Sequence, residues 1–423
     1  MNRWTKWVIL FALFILSIVN FSDKSITGLA GIHIMKDLNL TFSQFGMVGS
    51  SFFWLFPLAG ILGASLSDRY GTEKLLVVMA IIWTLAQSMV ILVSGLPLLL
   101  FSRVLLGIGE GPFQATATSH ISKWFKPESR GLAIAILNFG NVVGIAVSAP
   151  TVVYLMSNFG WKQTFLISGI ISFVWLIVWL WLGRLKPDVL FEEEERKQEN
   201  KLETNGKEKW KALRSPIFIF TSLAACIGFS YIVFGLTFNP AYLIKVKGFT
   251  EQQSGKIIAI SGLIGAMLAL VMAIISDRIY KKTLNLWKSR IFFSASSLTL
   301  AGIIYALYPL VTEKGSIILI LSIVYMLVAT AGNLNPAVII SLYPKRRGLM
   351  TGTYYGIMTS SGIFAPLIFG KLIQSSGANP AVGFSTSIYG ISVAMVISAI
   401  FMFLFGKPKQ LVSIEKDKKT VNL

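Results

Sequence analysis

Twelve apolar stretches, each long enough to cross a bilayer, constrain this chain more than any other feature. They run near 8–30, 43–66, 75–94, 97–121, 131–155, 162–184, 217–244, 253–275, 291–310, 316–342, 349–373 and 380–405. About 20 residues of helix cross a hydrocarbon core of about 30 Å, and a lone helix meets all its own backbone hydrogen bonds there. With 54% hydrophobic residues, 13% charged and a mean hydropathy of +0.69, the chain is too apolar for a soluble globular protein. The expected fold is an all-α membrane protein with twelve transmembrane helices.

An internal repeat divides those twelve into two sets of six. Thr41, Gln44, Gly46, Ser67, Asp68 and Arg69 recur about 209 residues later as Thr250, Gln253, Gly255, Ser276, Asp277 and Arg278. Further along, Gly140 and Pro150 are answered by Gly356 and Pro366, and Arg130-Gly131-Leu132 by Arg347-Gly348-Leu349. The expected organisation is a six-helix bundle over 1–184, a charged linker over 185–215, a second bundle over 216–406 and a basic tail over 407–423. The two bundles would be pseudo-symmetric. The linker holds Glu192 to Glu195 followed by mixed Lys and Glu, the composition of a solvated connector. The tail can touch anionic lipid headgroups.

The net charge of +19 is a topology signal rather than a nucleic-acid footprint. Lys and Arg concentrate at the N-terminus, in the even-to-odd connections and in the tail, which predicts both termini in the cytoplasm of a multi-pass cell-membrane protein. The first apolar run, within Met1–Ala30, is longer than a signal-peptide core and lacks a small-residue cleavage site, so it reads as the first span. Cys226 is the only cysteine, which excludes an internal disulfide. His33 and His120 have no acidic pair nearby in sequence, so neither a metal site nor a hydrolytic triad is expected. No enzyme activity, no cofactor and no nucleic-acid partner is predicted. The bilayer and a small organic anion are the expected partners of a monomer.

Charge inside a span is costly, about 2.5–3.5 kcal/mol per residue at the helix centre, so it marks function. Span four carries Arg103 and Glu110. Seven positions return almost to the same helix face, which sets the pair on one stripe roughly 10.5 Å apart. Gly107, Gly109 and Gly111 beside that stripe allow a helix or ligand to approach closely. Span one carries Asp23 and Lys24. No charged residue sits in the body of the second-half spans, where Lys256 and Lys371 lie only near span ends and Asn239, Asn335 and Tyr354 offer neutral hydrogen-bonding groups instead.

Ala64-Ser-Leu-Ser-Asp68-Arg69-Tyr-Gly71-Thr-Glu-Lys74 resembles the loop signature of the major facilitator superfamily, with Ala64 in place of the first Gly and Thr72 in place of Arg. The Arg103-x-x-x-Gly107-x-Gly109 stretch of span four and the Gly-rich span five ending in Pro150 fit the same superfamily. Within it, Asn20-Phe-Ser-Asp23-Lys24, Gly46 to Trp54, Gly107-Ile-Gly-Glu110-Gly-Pro112 and Lys123-Trp124-Phe125-x-Pro127-x-x-Arg130-Gly131 are similar to the anion:cation symporter family of sugar-acid and organic-anion carriers. That resemblance implies a secondary transporter in which Lys24 and Arg103 hold the substrate anion while Asp23 and Glu110 exchange the coupling proton. It also implies a gate at Asp68, Arg69, Asp277 and Arg278, whose pairing exists only when the halves close inside.

Helix geometry bears on the same residues. Lys24 and Arg103 each lie about 9 Å from the outer end of their span, and two cations at one level suit an anion. Glu110 falls roughly 10.5 Å deeper, near the midplane. An Arg103–Glu110 ion pair that neutralises both is the purely structural alternative, and Asp23 is the neighbour expected to hold Lys24. The family has Arg where this chain has Lys24, which replaces a bidentate fork with a point charge. The expected activity is proton-coupled symport of a sugar acid or related carboxylate. An organophosphate-for-phosphate antiporter is the runner-up, disfavoured because the body of span seven has no Lys or Arg. A non-transporting membrane sensor on the same fold is the alternative from another class.

Overall fold

A computed structural model describes residues 4–185, 206–283, 285–343 and 347–406. The charged run Glu192 to Glu195 and the tail 407–423 lie outside the described residues, and of the linker only its last third is described. Among the described residues the chain is α-helical without strands, and twelve helical spans are long and apolar enough to cross a membrane. The sequence expectation of twelve spans therefore holds.

The first six spans comprise α1 (Thr5–Leu29), α2 (Gly31–Asp37), α3 (Phe42–Ser51), α4 (Phe56–Tyr70), α5 (Thr72–Ser88), α6 (Leu96–Glu110), α7 (Phe113–Trp124), α8 (Pro127–Phe159) and α9 (Trp161–Leu182). The linker ends in α10 (Gly206–Leu213). The last six spans comprise α11 (Pro216–Thr237), α12 (Asn239–Lys245), α13 (Glu251–Thr283), α14 (Phe293–Tyr305), α15 (Lys314–Leu342), α16 (Arg347–Ser375) and α17 (Pro380–Phe405).

Span seven, expected to be continuous, stops at Thr237 and restarts at Asn239 with Pro240 in its first turn, and spans two and four are interrupted as well. Span two stops at Ser51 and restarts at Phe56, with Pro57 in the first turn of α4, and span four stops at Glu110 and restarts at Phe113 after Pro112. Proline has no N–H to give and its fixed φ suits a helix start, which explains where all three restart. The interruptions of spans two and four face each other across a close helix contact. A Cβ on Gly107 would lie 1.9 Å from Phe52 O, and one on Gly111 would lie 2.4 Å from Phe56 O. The glycines of span four thus serve helix approach.

The helices sort into two compact units, one of Met1–Lys201, Ile232–Leu263 and Gly362–Phe384, the other of Leu202–Tyr231, Ile264–Ser361 and Ser385–Leu423. In the first unit α1 packs along α8, where Ser17 Oγ donates to Asn141 Oδ1 at 2.5 Å and Ser25 Oγ to Ser148 Oγ at 2.9 Å. Trp175 Nε1 of α9 donates to Ala12 O at 2.7 Å. The opposite face of α9 is apolar and exposed, with Ile170, Phe173, Val174, Ile177 and Trp181. An outward apolar face of this length suits hydrocarbon rather than water.

The repeat acquires physical content here. Thr41 Oγ1 accepts from Gln44 N–H at 3.2 Å while Gln44 Oε1 accepts from Thr41 N–H at 2.9 Å, and Thr250 and Gln253 do the same at 3.2 and 3.0 Å. These are matching capping boxes, each meeting otherwise orphaned N–H groups at a helix start. Gly46 approaches Pro366 O in α16, and Gly255 approaches Ala149 O in α8, so the repeated glycines mark matching close contacts near Pro366 and Pro150. At this face of the first unit His33 Nε2 also meets Glu251 Oε1 at 2.8 Å, Ser50 Oγ donates to Ile363 O at 2.6 Å, and Phe42 N–H donates to Gln374 Oε1 at 3.2 Å.

The second unit is held by apolar and aromatic contacts. Phe220 stacks against Phe401 and Phe405, and Tyr354 lies in a cluster with Phe218, Ala225, Ile339, Tyr343 and Met350.

Candidate functional site

Four ionisable side chains of the first unit converge between α1 and α6. Adjacent residues on a helix point about 100° apart, so Asp23 and Lys24 leave α1 in different directions. Asp23, fully buried, turns toward α9 and accepts from the Ser168 hydroxyl. Its Oδ2 has no hydrogen-bond partner among the described residues. Lys24 turns toward α6, where its Nζ lies 2.9 Å from Glu110 Oε2, and it also donates to Asn20 Oδ1 one turn back. The side chain of Glu110 is fully buried in that pair, and its Oε1 has no hydrogen-bond partner among the described residues.

This arrangement differs from the expectation that Asp23 would hold Lys24. The reason is side-chain reach. Backbone rise puts Glu110 well below Lys24, but the four-carbon Lys stem bends back along the helix and spans the gap. Nor do Arg103 and Glu110 form a close pair. Arg103, 2% exposed, lies with its guanidinium carbon 5.4 Å from the centre of the Phe52 ring, and its Nε and Nη1 have no hydrogen-bond partner among the described residues. Lys24 lies 5.9 Å from the same ring and 5.8 Å from that of Phe56. A ring face attracts both cations, which helps hold two like charges near one another.

Lys24 and Arg103 line one cavity together with Thr27, Phe52 and Phe53, and with Leu236 and Thr237 from the end of α11. One cation is already paired, and the other presents free N–H groups. A small anion entering here would meet a guanidinium with unused donors, a form suited to planar carboxylate recognition.

The remaining sequence-predicted residues lie elsewhere. Asn239 opens α12 with its side chain buried, and the cavity wall next to it comes from Leu236 and Thr237. Asn335 and Tyr354 belong to the second unit, both buried, and neither Asn335 Oδ1 nor Tyr354 Oη has a hydrogen-bond partner there among the described residues. The side chain of Asp68 lies outside the described residues, and Arg69 is exposed beside the Tyr70 ring. Asp277 meets Arg290 Nη2 at 2.5 Å, while Arg290 Nη1 donates to Ser276 Oγ at 2.7 Å, and Arg278 is exposed. Between α4 and α5, Gly71 has φ 92°, a left-handed conformation that explains the glycine in this signature. Thr72, standing where that signature has Arg, accepts from Lys123 Nζ at 3.1 Å, so α7 delivers a cation to the same place. His120 is buried there too, with Nδ1 2.8 Å from Thr72 Oγ1 and Nε2 accepting from Trp124 Nε1 at 3.1 Å. Its role is to tie α7 to α5.

Sequence reasoning missed Asn20, Thr27, Phe52 and Ser168 as site residues. Spacing held a signal for two of them, since Asn20 and Thr27 fall four before and three after Lys24 on one helix face. Ser168 gave none.

The description Major Facilitator Superfamily matches residues 13–366 of the chain. A hexuronate transporter of Bacillus subtilis is 29% identical over 415 residues, covering 95% of this chain and 96% of that protein. A probable sulfoacetate transporter of Cupriavidus necator is 27% identical over 388 residues, covering 88% and 89%. Among solved structures, a bacterial homologue of the human lysosomal transporter Spinster, in an inward-facing and occupied conformation, aligns with a TM-score of 0.79 at 19% identity over 96% of this chain and 97% of its own.

Proposed function

The chain belongs to the major facilitator superfamily, a multi-pass membrane fold of secondary transporters, and on that premise we propose that it carries a small organic anion together with a proton. It is a transporter rather than an enzyme. The observation that carries the proposal is the set of buried Glu110, Arg103 and Asp23 with the partly buried Lys24. One cation is paired, the other lines a cavity and has N–H groups without a partner among the described residues, and both carboxylates have an oxygen without a hydrogen-bond partner among them. In this reading Arg103 takes the substrate carboxylate. Glu110 binds the proton, which releases Lys24 to join the grip, so proton and anion load together. Asp23, held by Ser168, is the second proton-binding carboxylate. The substrate class is a sugar acid or related carboxylate, supported by the relatives named for hexuronate and sulfoacetate.

Alternating access would run between the sequence halves 1–184 and 216–406, with both termini in the cytoplasm of the cell membrane. The face at which α1 ends is then the outer one, and the Gly46 and Gly255 contacts close it. The Ser-Asp-Arg triplets at 67–69 and 276–278, in the last turns of α4 and α13, form the inner gate in this reading. The test is uptake into proteoliposomes under an imposed inward proton gradient, run over a panel of radiolabelled sugar acids. Accumulation that a protonophore collapses is the expected result. Accumulation driven only by a sodium gradient, or only by counter-exchange with phosphate, would replace this reading.

A further inference from the structure

Resting on the organic-anion reading above, we propose that Thr27 reads the oxygen carried by the carbon next to the substrate carboxylate, which narrows the cargo to 2-oxygenated carboxylates. Lys24 and Thr27 are three residues apart on α1, so they share a face, and both line the cavity that Arg103 also lines. Thr27 is 4% exposed and its Oγ1 has no hydrogen-bond partner among the described residues. That is unusual for a threonine inside a helix, where the hydroxyl ordinarily bonds back to the carbonyl four residues earlier. Thr84, Thr164, Thr299, Thr330 and Thr353 all do so in this chain, at 2.7 to 3.0 Å. Thr116 and Thr221 also have no hydrogen-bond partner among the described residues, but neither lines this cavity.

The wall around Thr27 is otherwise poor in groups that could use its hydroxyl. Phe52, Phe53 and Leu236 are apolar, and Gly49 has no side chain. Thr237 also lines the cavity, its methyl 2.6 Å and its hydroxyl 3.0 Å from where a Cβ on Gly49 would stand. A buried hydroxyl kept from its own backbone, beside two cations, selects a ligand that brings both a carboxylate and a neighbouring oxygen. The acid's hydroxyl can accept from Thr27 or donate to it, and a ring ether in the same place can accept. An analogue with hydrogen at that carbon leaves Thr27 unsatisfied, and a site built to bond a substrate oxygen discriminates strongly against the analogue lacking it.

The experiment is equilibrium binding of D-gluconate and 2-deoxy-D-gluconate, which differ by that oxygen, to the purified full chain in lipid nanodiscs. D-glucuronate, whose carboxyl-bearing carbon carries the ring oxygen in the pyranose form, is a third probe. Wild type is expected to favour gluconate over its 2-deoxy analogue by about tenfold, the scale of one hydrogen bond. Thr27→Val should abolish the preference by weakening gluconate alone, and Thr27→Ser should restore it, with thermal melting confirming that each variant folds. Equal weakening of both probes in Thr27→Val, or a preference unchanged by it, overturns the assignment while the organic-anion reading stands. If wild type binds none of the three probes, the sugar-acid reading falls and takes this inference with it.

Discussion

The interior of the first compact unit and that of the second are built from different materials. Between α1 and α6 lie buried Asp23, Arg103 and Glu110 and the partly buried Lys24, with Lys24 paired to Glu110 and Arg103 against an aromatic ring. In the second unit, Asn335 and Tyr354 are just as buried, but they are neutral, and Tyr354 sits in an apolar cluster. The sequence repeat preserves the helix caps and the close glycine contacts in both halves, yet it does not preserve charge. Packing is duplicated. Among the described residues, buried Asp23, Arg103 and Glu110 all lie in the first unit, so the proposed proton and anion sites adjoin, where each could alter the other's affinity through Coulomb forces at contact distance.

The difference can be broken most sharply at Glu110. Glu110→Gln is expected to reduce accumulation driven by a proton gradient to background while counterflow exchange persists, both measured in the same proteoliposomes. Normal accumulation by the variant would remove Glu110 from coupling. Arg103→Gln is expected to weaken substrate binding by about a hundredfold, the upper range for losing a hydrogen bond to a charged group, read by equilibrium titration. A variant that binds normally would leave the cavity without its carboxylate anchor.

Lys24 sharpens the comparison because its partner is Glu110. Lys24→Ala removes the counter-charge of a buried carboxylate, so a loss of about 3 kcal/mol in stability is expected along with loss of transport. Lys24→Arg should keep binding but shift its pH profile, since a guanidinium stays charged and can grip a carboxylate in two places. Superimposable pH profiles for wild type, Lys24→Arg and Lys24→Ala would mean that Lys24 takes no part in loading. The smallest effect is expected in the second unit, where Tyr354→Phe deletes a buried hydroxyl that lacks a hydrogen-bond partner among the described residues. Transport should fall by less than about fivefold and thermal stability should stay within about 0.5 kcal/mol or rise. A loss as large as that of Arg103→Gln would erase the contrast between the two units.

Much of this was legible from sequence for a simple reason: a bilayer permits few solutions. Long apolar runs predict spans because the backbone must satisfy itself in hydrocarbon, and Asp23, Lys24, Arg103 and Glu110 stand out because charges within a span are rare. Partner choice was not legible. Rise per residue locates a Cα, but Lys24 reaches Glu110 through a flexible stem and Asp23 finds Ser168, an ordinary serine on an apolar helix. The breaks in spans two and four were equally hidden, because hydropathy is blind to a helix that stops and restarts within an apolar run. The recurring Thr41–Gln44 and Thr250–Gln253 pairs were visible as a repeat, although only their hydrogen bonds reveal them as caps.

The gap in span two turns α3 into a lever. Its ten residues extend about 15 Å from Ser51, beside the aromatic rings that border the two cations, to Phe42 at the far end. A tilt of about 10° at the pivot moves the far end by roughly 2.6 Å, in proportion to that 15 Å arm. The Phe42–Gln374 hydrogen bond, 3.2 Å long, cannot survive such a displacement. Any tilt of α3 about that gap would therefore be felt first at this contact, two and a half helical turns from the cations.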